Sequence, residues 1–75
     1  MFKTWHHYLV DGLTDGHVSS IRTSLKIVPE VSDLSISPAR GTISVKARRD
    51  VSEEVAMACQ IAGIRFRSKV AKSEL

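Results

Sequence analysis

Residues 7–28 read HYLVDGLTDGHVSSIRTSLKIV, and within them the spacing of the apolar side chains changes once. Ahead of the change, residues 2–10, FKTWHHYLV, are rich in aromatic and β-favouring side chains and predict a first strand. Alternation puts Trp5, His7 and Leu9 on one face of it and His6, Tyr8 and Val10 on the other. After the change, Val18, Ile21, Leu25 and Val28 fall three, four and three apart, which is one stripe of an amphipathic helix. That helix is expected over about residues 16–28. Thr14 or Asp15 can accept hydrogen bonds from the unpaired amides of its first turn, and Pro29 stops it. Between strand and helix lies GLTDGHVSS, residues 12–20, a turn that can either bind something or simply cap a helix.

Downstream, VSDLSIS (31–37) and TISVKA (42–47) alternate again, with Leu34 and Ile36 facing Ile43 and Val45 across a Pro38-Ala39-Arg40-Gly41 turn. They predict a β-hairpin. A second helix is expected to begin near Asp50 to Ser52, because Asp50 and Glu53 have the spacing of a capping box. Val55, Cys59 and Ala62 form its apolar stripe, Gly63 can end it, and IRFRSKV supplies a fourth strand. The order strand, helix, strand, strand, helix, strand is an α+β, ferredoxin-like βαββαβ arrangement. Right-handed crossovers put both helices on one face of a four-stranded antiparallel sheet. Tyr8, Val10, Leu34, Ile36, Ile43, Val45 and Phe66 then form the core beneath the helices. On the open face, Trp5, His7 and Leu9 are expected beside Ser44 and Lys46 on one side and Arg65 and Arg67 on the other.

The 75 residues are read as one domain, with an ordered core of about 3–69 and a solvated tail at 70–75. Cys59 is the only cysteine, so neither an internal disulfide nor a paired-cysteine zinc site is available. The amino terminus lacks a secretion signal, and no run approaches the ~20 apolar residues that span a bilayer. A cytoplasmic location without membrane insertion is expected. The net charge of +3 is mild, but most of the basic residues lie in the second half of the chain.

The run Val10, Gly12-Leu13-Thr14-Asp15-Gly16-His17-Val18, followed by Pro29-Glu30-Val31, the hairpin and Gly63-Ile64, resembles the heavy-metal-associated domain of copper chaperones and metal-transporting ATPases. That family has Gly-Met-Thr-Cys-x-x-Cys where this chain has Gly12 to Val18. Of the loop framework Gly12, Leu13, Thr14 and Val18, Gly12 and Thr14 match the motif and Leu13 stands at its methionine, while Asp15 and Val18 stand at the two cysteine positions. The resemblance implies a metal-handling module with a protein partner, such as a metal transporter or a sister domain. The missing thiolates argue against Cu(I), a soft ion that one carboxylate and one isopropyl group do not hold. Cys59 does not replace them, because its place in the apolar stripe makes it a core residue.

Two other readings stay open. A divalent ion such as Zn(II), Ni(II) or Cu(II) can be held weakly at Asp15 and His17, although two residues both in a helix diverge; the plainer alternative makes Asp15 the helix N-cap and His17 an exposed first-turn residue. Single-stranded nucleic acid can lie on the open face over Trp5, His7, Leu9, Arg65 and Arg67, yet the third strand lacks the aromatic residues of an RNA recognition motif. The same face, or Met57 and Ile61 on the outer side of the second helix, can instead dock a protein. His6 and His7 point to opposite faces and so cannot easily share an ion. No serine, cysteine or carboxylate-pair constellation suggests catalysis, and a non-enzymatic role is expected.

Overall fold

The computed structural model describes residues 3–74. Strand β1 (Thr4–Asp11) leads into helix α1 (Asp15–Lys26), strands β2 (Val31–Ser37) and β3 (Thr42–Ala47) follow, and helix α2 (Ser52–Ala62) precedes strand β4 (Arg65–Val70). A short 3-10 turn, Lys72–Glu74, comes after β4. The strands make one antiparallel sheet in the order β2-β3-β1-β4, the ferredoxin-like topology expected from the element order. Both hairpin strands have the bounds that their alternation predicts. Phe2, assigned to the first strand from sequence, lies outside the described residues.

The core follows from the two periodicities. Ile21 and Leu25 of α1 and Val55 and Cys59 of α2 are fully buried against Tyr8, Ile43 and Val45 of the sheet. Burying each large side chain contributes roughly 1.5–3 kcal/mol. Ile36 and Phe66 sit at the rim, half-buried against the cluster, with the Phe66 ring centroid 6.0 Å from that of Tyr8.

Both helices begin or end differently from the sequence expectation. α1 stops at Lys26, and Ile27, its C-cap, is 79% exposed. The chain turns there because the Val28 amide bonds back to the Leu25 carbonyl at 3.2 Å, which brings the Val31 amide onto the Val28 carbonyl at 3.1 Å. In α2 the N-cap is Val51, and the Asp50–Glu53 capping box does not form. Asp50 is drawn elsewhere. Its Oδ1 accepts the hydroxyl of fully buried Tyr8 at 2.8 Å, and the Ser52 hydroxyl lies 2.7 and 2.8 Å from its two oxygens. The Tyr8 oxygen in turn accepts the buried Val51 amide at 3.1 Å. A buried phenol needs both a donor and an acceptor, and that requirement outweighs the capping preference of a surface carboxylate.

The far end of α2 is as the sequence predicts. Gly63, at φ 83°, adopts the left-handed conformation that glycine reaches without strain. Its amide meets the Gln60 carbonyl at 3.2 Å, and the Ile64 amide meets the Cys59 carbonyl at 2.9 Å, closing the helix.

Pairing of β1 with β4 slips between Leu9 and Val10: Leu9 faces Ser68, but Val10 faces Phe66. Arg67 is the extra residue of this bulge. The slip carries His7 opposite Val70 and Asp11 opposite Arg65.

Candidate functional site

The turn between β1 and α1 opens on Gly12, whose φ of 83° requires glycine and turns the chain off the end of the strand. Leu13 follows and is 8% exposed, so it plugs the core beneath the loop. Thr14 is extended (φ −127°, ψ 170°) and is the N-cap of α1. Asp15 is therefore the first helical residue and not the cap, which corrects the plainer sequence reading. Its exposed carboxylate still favours the positive end of the helix dipole.

His17 has a structural task that its sequence position does not advertise. The Thr14 amide donates to His17 Nδ1 at 3.1 Å, the Thr14 hydroxyl lies 3.0 Å from the same nitrogen, and the His17 amide returns to the Thr14 carbonyl at 3.0 Å. This is the reach-back half of a capping box, with histidine where glutamate or glutamine is usual. An amide can only donate, so Nδ1 accepts and the ring proton is assigned to Nε2. The signal was present in the sequence as Thr-x-x-His, at the spacing of a capping box.

These contacts bear on metal binding. Asp15 and His17 both lie in α1, two residues apart and so about 200° apart around the helix axis, and no hydrogen bond joins them among the described residues. An ion on either ring nitrogen must displace the Thr14 contact or the Nε2 proton. Val18, at the second cysteine position of the resembled motif, is an apolar, half-buried helical residue. Cys59 is fully buried, and burial pushes its thiol up to about 11, which disfavours the thiolate a metal needs. Among the described residues, no group of three or more histidine, cysteine, aspartate or glutamate side chains is placed to hold an ion.

The structure separates the residues expected together on the open sheet face. Trp5 faces Lys46 and His7 faces Ser44 on β3, as expected, and His7 Nδ1 lies 2.7 Å from the Ser44 hydroxyl. Arg65 and Arg67 do not flank Trp5. The antiparallel register sets Arg65 opposite Asp11, and Arg67 Nε is 3.6 Å from an Asp11 carboxylate oxygen. Six residues of strand, about 20 Å, separate Asp11 from Trp5. Leu9 is half-buried between the two groups. What borders Trp5 instead is a concavity of about 530 Å³ whose lining includes His7, Ser35, Ser44, Val70 and Lys72. The sequence reading set the wrong end of β4 beside Trp5, because the register between two strands leaves no mark on the alternation of either.

The exposed apolar side chains Met57 and Ile61 lie one turn apart on α2, 60% and 69% exposed. Among the described residues, no helix is long and apolar enough to cross a membrane.

No protein-family model matches the chain, and no curated protein sequence matches it. Solved structures do. The apo N-terminal domain of ZntA superposes with a TM-score of 0.76 at 21% identity, covering 92% of this chain and 96% of that one. The yeast copper transporter domain Ccc2a gives 0.75 at 16%, covering 89% and 94%. The copper(I)-loaded first domain of the human copper chaperone for SOD1, CCS, gives 0.70 at 18%, covering 93% and 100%. At such identities the likeness is one of fold, and the chain has the fold of the heavy-metal-associated domains.

Proposed function

We propose that this chain is a non-enzymatic module of metal-ion handling that docks to a partner protein, such as a metal transporter or a sister domain, without itself carrying Cu(I). Its setting is cytoplasmic. The fold neighbours include a copper transporter domain and a copper chaperone domain, which supports the metal-handling part. The observation that carries the rest is the state of the loop. Asp15 and Val18 stand at the cysteine positions, and His17 Nδ1 is engaged by Thr14 at 3.1 Å. The residues present do not fit Cu(I), because no thiolate reaches the loop.

Titrating the purified chain with Cu(I) against a competing chelator tests the reading. The expected result is no tight one-to-one complex, and the same outcome for Cys59→Ser. Stoichiometric capture by the wild-type chain that Cys59→Ser abolishes would refute it.

A divalent ion at Asp15 and His17 has less support, because binding there competes with the helix cap. Zn(II) titration followed by NMR separates the two readings: saturable shifts confined to residues 12–18 favour the ion. Single-stranded nucleic acid on the open face also loses support, since Arg65 and Arg67 sit beside Asp11 and away from Trp5.

A further inference from the structure

We propose that the concavity on the open sheet face beside Trp5 is a binding site for a small planar aromatic carboxylate. Its floor is one cross-strand row. Ser35 faces Ser44, Ser44 faces His7, and His7 faces Val70, so the row crosses all four strands. Hydroxyls and an imidazole occupy one half of the floor and an apolar side chain the other. A planar ligand with one polar edge matches that division.

Trp5 forms a wall and is 42% exposed, an indole face open to stacking. The Ser44 hydroxyl, 2.7 Å from His7 Nδ1, orients the imidazole and leaves Nε2 as its second polar atom.

The charge around the concavity selects the sign of the ligand. Lys69 and Lys72 border it, and no carboxylate does among the described residues. Lys46 stands directly opposite Trp5 on β3. Two acids on neighbouring elements are turned to other tasks. Asp50 binds Tyr8 and Ser52 and lies 3.5 Å from the Lys69 ammonium, while Asp33, across β3 from Trp5, accepts the Leu34 amide at 2.8 Å. Lys72 and Lys46 are thereby left as the cations for a bound anion.

Size and position favour a small molecule over a polymer. A volume of about 530 Å³ lies within the ~300–1,000 Å³ of small-molecule sites. The guanidinium groups of Arg65 and Arg67, expected from sequence to help hold a nucleic-acid strand, lie at the other end of β1. The site is also remote from the loop at residues 12–18, so it stands or falls independently of the metal-handling reading.

The test titrates 1-naphthoate into the ¹⁵N-labelled full chain, with 1-naphthylmethanol as the neutral analogue. Saturable shifts at Trp5, His7, Ser44 and Val70, with quenching of the single tryptophan, are expected. Lys72→Glu, a surface change that leaves the fold intact, should weaken binding about tenfold, and Trp5→Ala about fivefold or more. The neutral analogue should bind several-fold more weakly. Absent shifts, shifts centred on Met57 and Ile61, or equal binding of the two naphthyl compounds overturn the proposal. So does displacement of naphthoate by an octathymidylate that shifts Arg65 and Arg67.

Discussion

Replacing Tyr8 by phenylalanine deletes one oxygen from the centre of the molecule and should be among its most damaging single-atom changes. That oxygen donates to Asp50 Oδ1 at 2.8 Å and accepts the Val51 amide at 3.1 Å, and both Tyr8 and Val51 are fully buried. Losing a hydrogen bond to a charged acceptor costs roughly 1.5–3 kcal/mol, and an orphaned buried amide roughly 1–3 kcal/mol. The two overlap, so Tyr8→Phe should cost about 2–4 kcal/mol in all. A chain of 75 residues has a total stability of about 4–11 kcal/mol, so half of it can be at stake. Urea unfolding followed by circular dichroism measures the loss, and Asp50→Ala alone and combined with Tyr8→Phe completes a double-mutant cycle. The cycle should be non-additive by at least about 0.5 kcal/mol. A loss under about 0.5 kcal/mol, or strict additivity, would refute the reasoning. The pH dependence gives a second check. Burial first, then the bond to Asp50, pushes the Tyr8 phenol up to about 12, although the Val51 amide pulls it down. A raised pKa in the fold means that its stabilisation is complete below the ordinary value of about 10 and is lost as pH rises toward 12. The gap between wild type and Tyr8→Phe should therefore narrow above about pH 10.

The capping role of His17 predicts that His17→Ala destabilises the chain by about 0.5–1 kcal/mol in urea unfolding, whereas His17→Gln, which can also reach back, loses less. If the loop backbone keeps the geometry of the resembled motif, the double variant Asp15→Cys/Val18→Cys should gain one tight Cu(I) equivalent in chelator competition; continued absence of binding would show that the loop geometry has been lost as well. Cys59, with its thiol raised to about 11 by burial, should resist iodoacetamide in the native state and be labelled only as fast as the chain unfolds. Asp50 is held below its ordinary value: desolvation opposes the shift, but hydrogen bonds from Ser52 and Tyr8 and the charge of Lys69 outweigh it. The stability it adds is present above the ordinary carboxylate pKa and lost as pH falls through the lowered value, so the cost of Asp50→Asn should shrink below about pH 4.

How much could be read in advance differs from residue to residue. The hairpin bounds, the Ile21–Leu25 stripe and the Gly63 cap were legible because each depends on a local period or on one residue's backbone freedom. The empty cysteine positions were legible only through the resemblance to the heavy-metal-associated motif, and β1 ends one residue beyond the Val10 expected. Asp50 was misread as a helix cap, since its partner Tyr8 lies 42 residues earlier and no local pattern links them. The placing of Arg65 and Arg67 beside Trp5 failed because β4 pairs with β1 so that Arg65 meets Asp11 at the far end of the strand, a register that no local pattern in either strand marks. His17 was read as an exposed first-turn residue, although Thr14 and His17 have the spacing of a capping box.

By itself, then, the sequence determined the element order, which face of each element is buried, and the absence of thiolates from the loop, because periodicity and side-chain chemistry are local properties. Only the tertiary structure decided that Tyr8 claims Asp50, that Asp11 claims Arg67, and that Trp5 opens onto a concavity completed by β4. Those pairings depend on strand register and on where buried polar atoms find partners, quantities that arise only when distant segments share one sheet.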